Sequence, residues 1–108
     1  MNNREMLELA AKAAGYKVDA DMQAERDALI GRENAGLWLE GGSTNWNPRD
    51  NSGQALELAV AIGLFSTTEQ FRDFQAFYSD EIRMDGKPTA ATRRAILTIA
   101  ALRGKAMP

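Results

Sequence analysis

The chain has 108 residues, of which 44% are hydrophobic and 26% are charged, and its formal net charge is −2. This composition is typical of one soluble globular domain, which we assign to residues 1–108. Because the chain contains neither cysteine nor histidine, disulfides, thiolate zinc sites, cysteine nucleophiles and the commonest general base are all excluded. We therefore expect a protein that is not an enzyme and that uses no metal or cofactor.

The longest apolar stretch, residues 55–65, is interrupted by Glu57 and Gly63 and is too short to span a bilayer. The residues after Met1 lack the apolar region of a secretory signal peptide. We therefore predict a cytoplasmic protein that has no membrane partner.

Residues 3–14 are predicted to form the first helix, because their apolar side chains recur at helical spacing. Asn2 or Asn3 is suited to cap its N-terminus, and Glu5 lies in the first turn, where the helix dipole favours an acid. Gly15 is the residue type that most often ends a helix.

Two short strands are predicted next in the chain. Tyr16-Lys17-Val18-Asp19 alternates apolar and polar residues, and residues 36–40 form an apolar run that Gly41-Gly42-Ser43 ends. The apolar residues within segment 21–33, which separates the two strands, are compatible with a short helix.

Residues 46–60 indicate a chain reversal that leads directly into a second helix. Asn47-Pro48 breaks regular structure, and one of residues 50–52 is suited to cap the helix that follows. Apolar residues then cover more than half of the helix circumference up to Gly63, which predicts a largely buried helix.

Residues 65–85 allow two interpretations. Ser66-Thr67-Thr68-Glu69 has the pattern of a capping box before a short helix. The apolar residues between Phe71 and Met84 also alternate in part, which instead fits two strands joined by a turn at Ser79-Asp80.

The last segment is predicted to be a helix that begins at Pro88 and Thr89, after a turn at residues 84–87. Its apolar positions follow helical spacing from Ala91 to Leu102. Three helices interleaved with short strands predict an α+β fold, namely a small three-layer α-β-α sandwich with a short antiparallel sheet.

Three pieces of the chain resemble the phage ABA sandwich family, which consists of small proteins from tailed phages and prophages. Its "WNP…DxGDALRLAV" motif is matched by Trp46-Asn47-Pro48, Asp50, Gly53, Ala55-Leu56 and Leu58-Ala59-Val60. Residues 3–15 and 90–96 also resemble the family, and the three pieces occur in the family's order. Gln54 departs from the motif, in which an Asp follows the glycine.

The resemblance implies a three-layer α-β-α fold and a phage or prophage origin. It also implies that residues 21–33 are irregular, or form a weak strand near Ala28-Leu29-Ile30. It implies no established biochemical activity, because the family is known mainly as uncharacterised.

The charge distribution suggests where a ligand would bind. Residues 87–108 contain five Lys and Arg and no acid, whereas residues 1–86 contain eight Lys and Arg and all fifteen acids. Arg93 and Arg94, with Lys87, are candidates to bind phosphate near the start of the last helix, because arginine suits bidentate phosphate contacts. Alternatively, these side chains are solvated or are paired with acids of the rest of the domain.

The turn before the second helix is a weaker candidate site. Trp46 either offers an aromatic surface to a partner or is a large core residue. Asn47 and Asp50 either contact a ligand or form the turn and cap hydrogen bonds that such residues commonly make. The structural interpretation is favoured, and it defines a turn motif of Trp46, Asn47, Pro48, Asp50 and Gly53.

These features favour a non-enzymatic phage or prophage accessory protein that acts by binding. Its target would be a host protein, including a host defence protein, or a small anionic nucleotide-type signal held by Arg93, Arg94 and an aromatic residue. With such a ligand we expect a homo-oligomer with pockets between protomers. The alternative is a nucleic-acid-binding module that uses the basic C-terminal helix, which the acidic remainder of the chain disfavours for long duplexes.

Overall fold

The computed structural model describes residues 1–42 and 45–108, and these residues form five helices. In chain order the helices are α1 (Asn3–Ala14), α2 (Ala20–Ile30), α3 (Ser52–Ala61), α4 (Thr68–Asp85) and α5 (Pro88–Ala106). The predicted α-β-α sandwich is therefore wrong, because the described part of the chain contains no sheet. The second strand was predicted to end at Gly41-Gly42-Ser43, and Ser43 lies outside the described residues.

The two predicted strands are reduced to isolated antiparallel bridges. Val18 pairs with Leu39, and Leu37 pairs with Trp46, but neither pairing extends into a ladder. The strands that were needed to complete a sheet would have come from residues 65–85, and that segment is helical. Three short extended segments alone do not provide a sheet that could separate two helical layers.

α1 confirms the helix predicted over residues 3–14, including its ends. The Asn2 side chain accepts a hydrogen bond from the Glu5 N–H at 2.9 Å, which caps the first turn. Gly15 ends the helix with a φ of 78°, in the left-handed region that glycine adopts without strain.

α4 shows which interpretation of residues 65–85 is correct. One helix of 18 residues replaces the two strands and the turn at Ser79-Asp80, so the strand interpretation is wrong. The helical interpretation is confirmed, although the helix is not short as predicted. The Thr67 side chain accepts from the Gln70 N–H at 3.2 Å as its N-cap. Among the five helices, α4 packs against α5 only.

α2 likewise resolves the assignment of residues 21–33 in favour of a helix. Asp19 caps it, since its side chain accepts from the Met22 N–H at 3.2 Å. The family resemblance implied that residues 21–33 are irregular or form a weak strand near residues 28–30. This prediction is wrong, because α2 extends to Ile30.

The core is built around α5, which packs against α1, α3 and α4. Small residues allow this helix to approach α1 closely. A Cβ placed on Gly104 would lie 1.9 Å from the backbone oxygen of Leu9, so only glycine is accommodated there. The largest fully buried side chains are Leu7, Leu37, Leu58, Leu64, Leu97 and Pro48.

The prediction that the second helix is largely buried holds for only one of its faces. In α3, Ala55, Leu58 and Ala59 are buried, whereas Leu56 and Val60 are 56% and 67% exposed. The reason is that α3 packs on one side against α5 and α1, and no other helix of the described residues contacts it. No helix in the described part of the chain is long and apolar enough to cross a membrane.

Candidate functional site

The turn before α3 is held by side chains that are turned inward. Trp46 is only 5% exposed, and its ring meets that of Tyr16 edge-on with centroids 5.8 Å apart. Its backbone pairs with Leu37, and Pro48 is fully buried. A buried Trp46 cannot stack on a ligand from solvent, so the aromatic contact predicted for it is not provided at this position.

Gln54 ties the turn to α3. Its Oε1 accepts from the Asn47 N–H at 2.6 Å, and its Nε2 donates to the Asn45 carbonyl at 2.9 Å. Asn51 caps the helix by accepting from the Gln54 N–H at 2.9 Å. The Gln54 side chain therefore joins the turn to the helix.

Asp50 and Gly53, the remaining residues of the turn motif, make fewer contacts than Gln54. The Asn47 side-chain amide donates to the Asp50 carboxylate at 3.0 Å, across an exposed part of the turn. A Cβ added to Gly53 would approach the Asn51 side chain to 3.4 Å, an ordinary contact, so nothing in the packing requires glycine there.

Arg94 faces α4 and is paired with acids. Its Nε donates to Glu81 at 2.8 Å, and its Nη1 lies 3.1 Å from the Asp85 carboxylate. The pKa of Asp85 is lowered, first by the Lys87 backbone N–H that donates to it and then by the Arg94 guanidinium. Arg94 therefore joins α5 to α4 and is not available to bind a phosphate without breaking two ion pairs.

Arg93 faces α3, on the other side of α5. Its Nε donates to the Arg49 carbonyl at 2.8 Å and its Nη1 donates to the Ser52 hydroxyl at 3.0 Å. Both acceptors are neutral, and among the described residues no carboxylate lies within salt-bridge distance of Arg93. The predicted joint grip of Arg93 and Arg94 on one phosphate is thus not assembled, because the two side chains serve different sides of α5.

Lys87 lies at the N-cap position of α5 and is exposed. It provides no side-chain cap for the helix, and its backbone N–H donates to the Asp85 side chain at 3.0 Å. Arg103, at the other end of α5, donates to the Ile62 carbonyl at 2.7 Å and also contacts Gln70. Much of the basic character of residues 87–108 therefore serves contacts within the domain.

A groove opens between α3 and the first half of α5, with Arg93 on its edge. Its volume is about 300 Å³. It is lined by Ser52, Ala55, Leu56, Phe65, Pro88, Thr89, Thr92, Arg93 and Ile96. The lining is apolar except for hydroxyls and one guanidinium, and it contains no acid, so it offers one positive charge beside an apolar surface.

Aromatic residues continue this surface, although the sequence led to no site prediction at them. All four phenylalanines of the chain lie within residues 65–77, and none of them is fully buried. Phe65 is 47% exposed and Phe71 is 41% exposed, and the Phe65 ring lies 6.1–6.3 Å from those of Phe71 and Phe74. The concentration of phenylalanines in one short segment could have indicated an aromatic surface. The strand interpretation of that segment, however, did not place their side chains together.

A second cleft lies on the Arg94 side of α5, with a volume of about 320 Å³. Met6, Met84 and Leu97 contribute apolar walls, and Arg94 is there already paired with Glu81. In the described part of the chain no group of three or more acidic residues is arranged to hold a metal ion.

Comparison with known proteins does not extend this description. No family model, no curated protein and no solved structure matches the chain. The candidate site therefore rests on its own geometry: an apolar groove between α3 and α5, an aromatic margin at Phe65, and the guanidinium of Arg93.

Proposed function

We propose that this chain is a non-enzymatic binding protein whose ligand combines an anionic group with an aromatic or apolar body. The observation that carries the proposal is the position of Arg93, a guanidinium without a carboxylate partner at the edge of an apolar groove. A nucleotide-type molecule has this combination of charge and aromatic surface.

Arg93 is suited to exchange its present contacts for an anion. Its two current acceptors are a carbonyl and a hydroxyl, and hydrogen bonds from a guanidinium to an anionic oxygen are stronger than those to neutral acceptors. The Thr89 hydroxyl lies in the same lining and supplies a further polar contact. A phosphate or carboxylate would therefore be bound at the edge of the groove.

The apolar floor is suited to the body of the ligand. Leu56 and Phe65 project exposed apolar surface into the groove, and Ile96 closes its base. Aromatic ligand rings pack favourably on such side chains. The volume of about 300 Å³ is at the small end of ligand pockets, which favours a mononucleotide over a larger molecule.

Isothermal titration calorimetry with the four ribonucleoside 5′-monophosphates tests this proposal. We expect saturable binding of at least one nucleotide, and weaker binding of inorganic phosphate and of the matching nucleoside, because each supplies only half of the contacts. Arg93→Gln should weaken binding by about tenfold or more, in line with the loss of a hydrogen bond to a charged group.

Arg83→Gln is the matched control, because it removes the same charge from a highly exposed position of α4 outside the groove. It should leave nucleotide affinity unchanged. Equal affinity of Arg93→Gln and the unmodified protein would contradict the proposal, and so would the absence of saturable binding by all four nucleotides.

We further propose a phage or prophage origin, on the basis of the ordered motif in residues 46–60 and its companion segments. The biological target would then be a host protein or a host nucleotide signal, with action in the host cytoplasm. Native mass spectrometry of the protein from phage-infected cells would measure any retained ligand and the mass of the expected homo-oligomer together. A monomer that carries no ligand would contradict both the retained nucleotide ligand and the homo-oligomer.

The nucleic-acid-binding alternative has less support. α5 is the central helix of the domain, and Arg94 and Arg103 donate to acceptors within the chain. Few phosphate contacts would remain, and affinity for duplex DNA depends on their number. Fluorescence anisotropy with a labelled 20-base-pair duplex at low salt should show no saturable binding.

A further inference from the structure

We propose that α2 and the turn after it, residues 20–34, form a flap that opens as a unit while the remaining helices stay folded. The flap is held shut by a lock of two side chains, Arg4 from α1 and Gln23 from α2. This inference is independent of the ligand-binding groove.

The flap contributes almost nothing to the apolar core. Gln23 is the one buried side chain between residues 20 and 34, and it is polar. Leu29, the most exposed large apolar residue of the segment, is 81% exposed. α2 also has no close backbone contact with any of the other four helices. A helix with no fully buried apolar side chain depends largely on specific polar contacts to hold it in place.

The first half of the lock is a buried ion pair. Arg4 is 4% exposed, and its two terminal nitrogens reach both carboxylate oxygens of Asp27 at 2.9 and 2.6 Å. Its Nε donates to Glu8 at 2.8 Å on its own helix. Bidentate pairing of this kind is strong and directional. Removal of Asp27 would therefore leave part of a buried guanidinium without its partner.

The second half of the lock is the carboxamide of Gln23. Its Oε1 accepts from the Trp38 N–H at 2.7 Å, and its Nε2 donates to the Gly36 carbonyl at 3.0 Å. The carboxamide thereby supplies hydrogen-bond partners for the Trp38 N–H and the Gly36 carbonyl. In a sheet, the backbone of a neighbouring strand would supply them. Arg26 of α2 adds a contact to the same segment, since its guanidinium lies 5.3 Å from the centroid of the Trp38 ring.

The base of the flap is closed independently of the lock. Val18 and Leu39 form a bridge on either side of the flap, and the Asp19 N–H donates to the Trp38 carbonyl at 2.8 Å. The chain enters and leaves the flap through this pairing. Opening therefore needs no change in the paths of α1 or of the segment that leads to Trp46.

Hydrogen exchange of the full chain, followed by mass spectrometry across a range of low denaturant concentrations, tests the proposal. Amides of α2 in the unmodified protein should exchange through an opening that leaves α1 and α5 protected. Asp27→Asn should accelerate exchange of α2 about tenfold or more while α1 and α5 change little, because it breaks the ion pair.

Glu25→Gln is the matched control, since it removes one negative charge from an exposed position on the same helix. It should leave α2 exchange within about twofold of the unmodified protein. The proposal is overturned if α2, α1 and α5 of the unmodified protein exchange through one common opening. It is also overturned if Asp27→Asn accelerates α1 and α5 as much as α2.

Discussion

The two sides of α5 carry consecutive arginines with opposite uses. On one side, Arg94 is paired with Glu81 and Asp85 and joins α4 to the core. On the other side, Arg93 contacts only neutral acceptors, beside a groove with exposed apolar walls. Neighbouring positions on a helix point about 100° apart. Two consecutive arginines can therefore have different roles, one in a structural contact and the other at a candidate binding site.

Two leucines of α3 likewise differ, one being buried in the core and the other exposed at the groove. Leu58 is fully buried against the core, whereas Leu56 is more than half exposed at the groove. Leu58→Ala should lower the free energy of unfolding by roughly 2–5 kcal/mol, the usual cost of a buried leucine. Leu56→Ala should cost less than about 1 kcal/mol. Urea denaturation of both variants measures the difference, and equal losses would show that the groove wall is part of the core.

The two arginines should differ in the same direction, with smaller effects. Arg94→Gln leaves Glu81 and Asp85 without their partner, and we expect a loss of roughly 1–2 kcal/mol in the free energy of unfolding. Arg93→Gln breaks only exposed contacts to neutral groups, and it should cost less than about 1 kcal/mol. A thermal melt of each variant gives the order, which the reverse ranking would contradict.

Acid should weaken the contacts on the Arg94 side of α5. The folded pKa of Asp85 lies below its ordinary value of 3.8. Its stabilising contribution is therefore fully present well above pH 3.8 and is lost as the pH falls through the lowered folded pKa. Urea midpoints measured from pH 7 to pH 3 should fall less steeply for Asp85→Asn than for the unmodified protein. Parallel curves would exclude this contribution.

Local signals in the sequence predicted α1 and its caps, and they indicated the turn and helix around residues 46–60. The cap residues act through neighbours three positions away, so a short stretch of sequence contains the whole interaction. The sheet was mispredicted because aromatic residues in 65–85 satisfy both a strand pattern and one face of a helix.

The site was predicted in part, because only some of its residues are close in sequence. The sequence indicated Arg93, but it also grouped Arg93 with Arg94 and offered Trp46 as a candidate aromatic contact. The direction in which each arginine points depends on where α3 and α4 pack. The acceptors of Arg93 lie more than forty positions away in the chain, whereas Glu81, a partner of Arg94, is 13 positions away. The aromatic residue that lines the groove is Phe65, which the tertiary fold brings beside α5.

The most direct test of the account is to map nucleotide contacts residue by residue. Two-dimensional ¹H–¹⁵N nuclear magnetic resonance spectra of the labelled protein, recorded during titration with the tightest-binding ribonucleoside monophosphate, would locate the bound ligand. We predict that the largest shifts occur in residues 52–56 and at Phe65, Thr89, Thr92, Arg93 and Ile96, which line the groove. Shifts concentrated instead around Met6, Met84 and Arg94, or spread evenly over the surface, would contradict it.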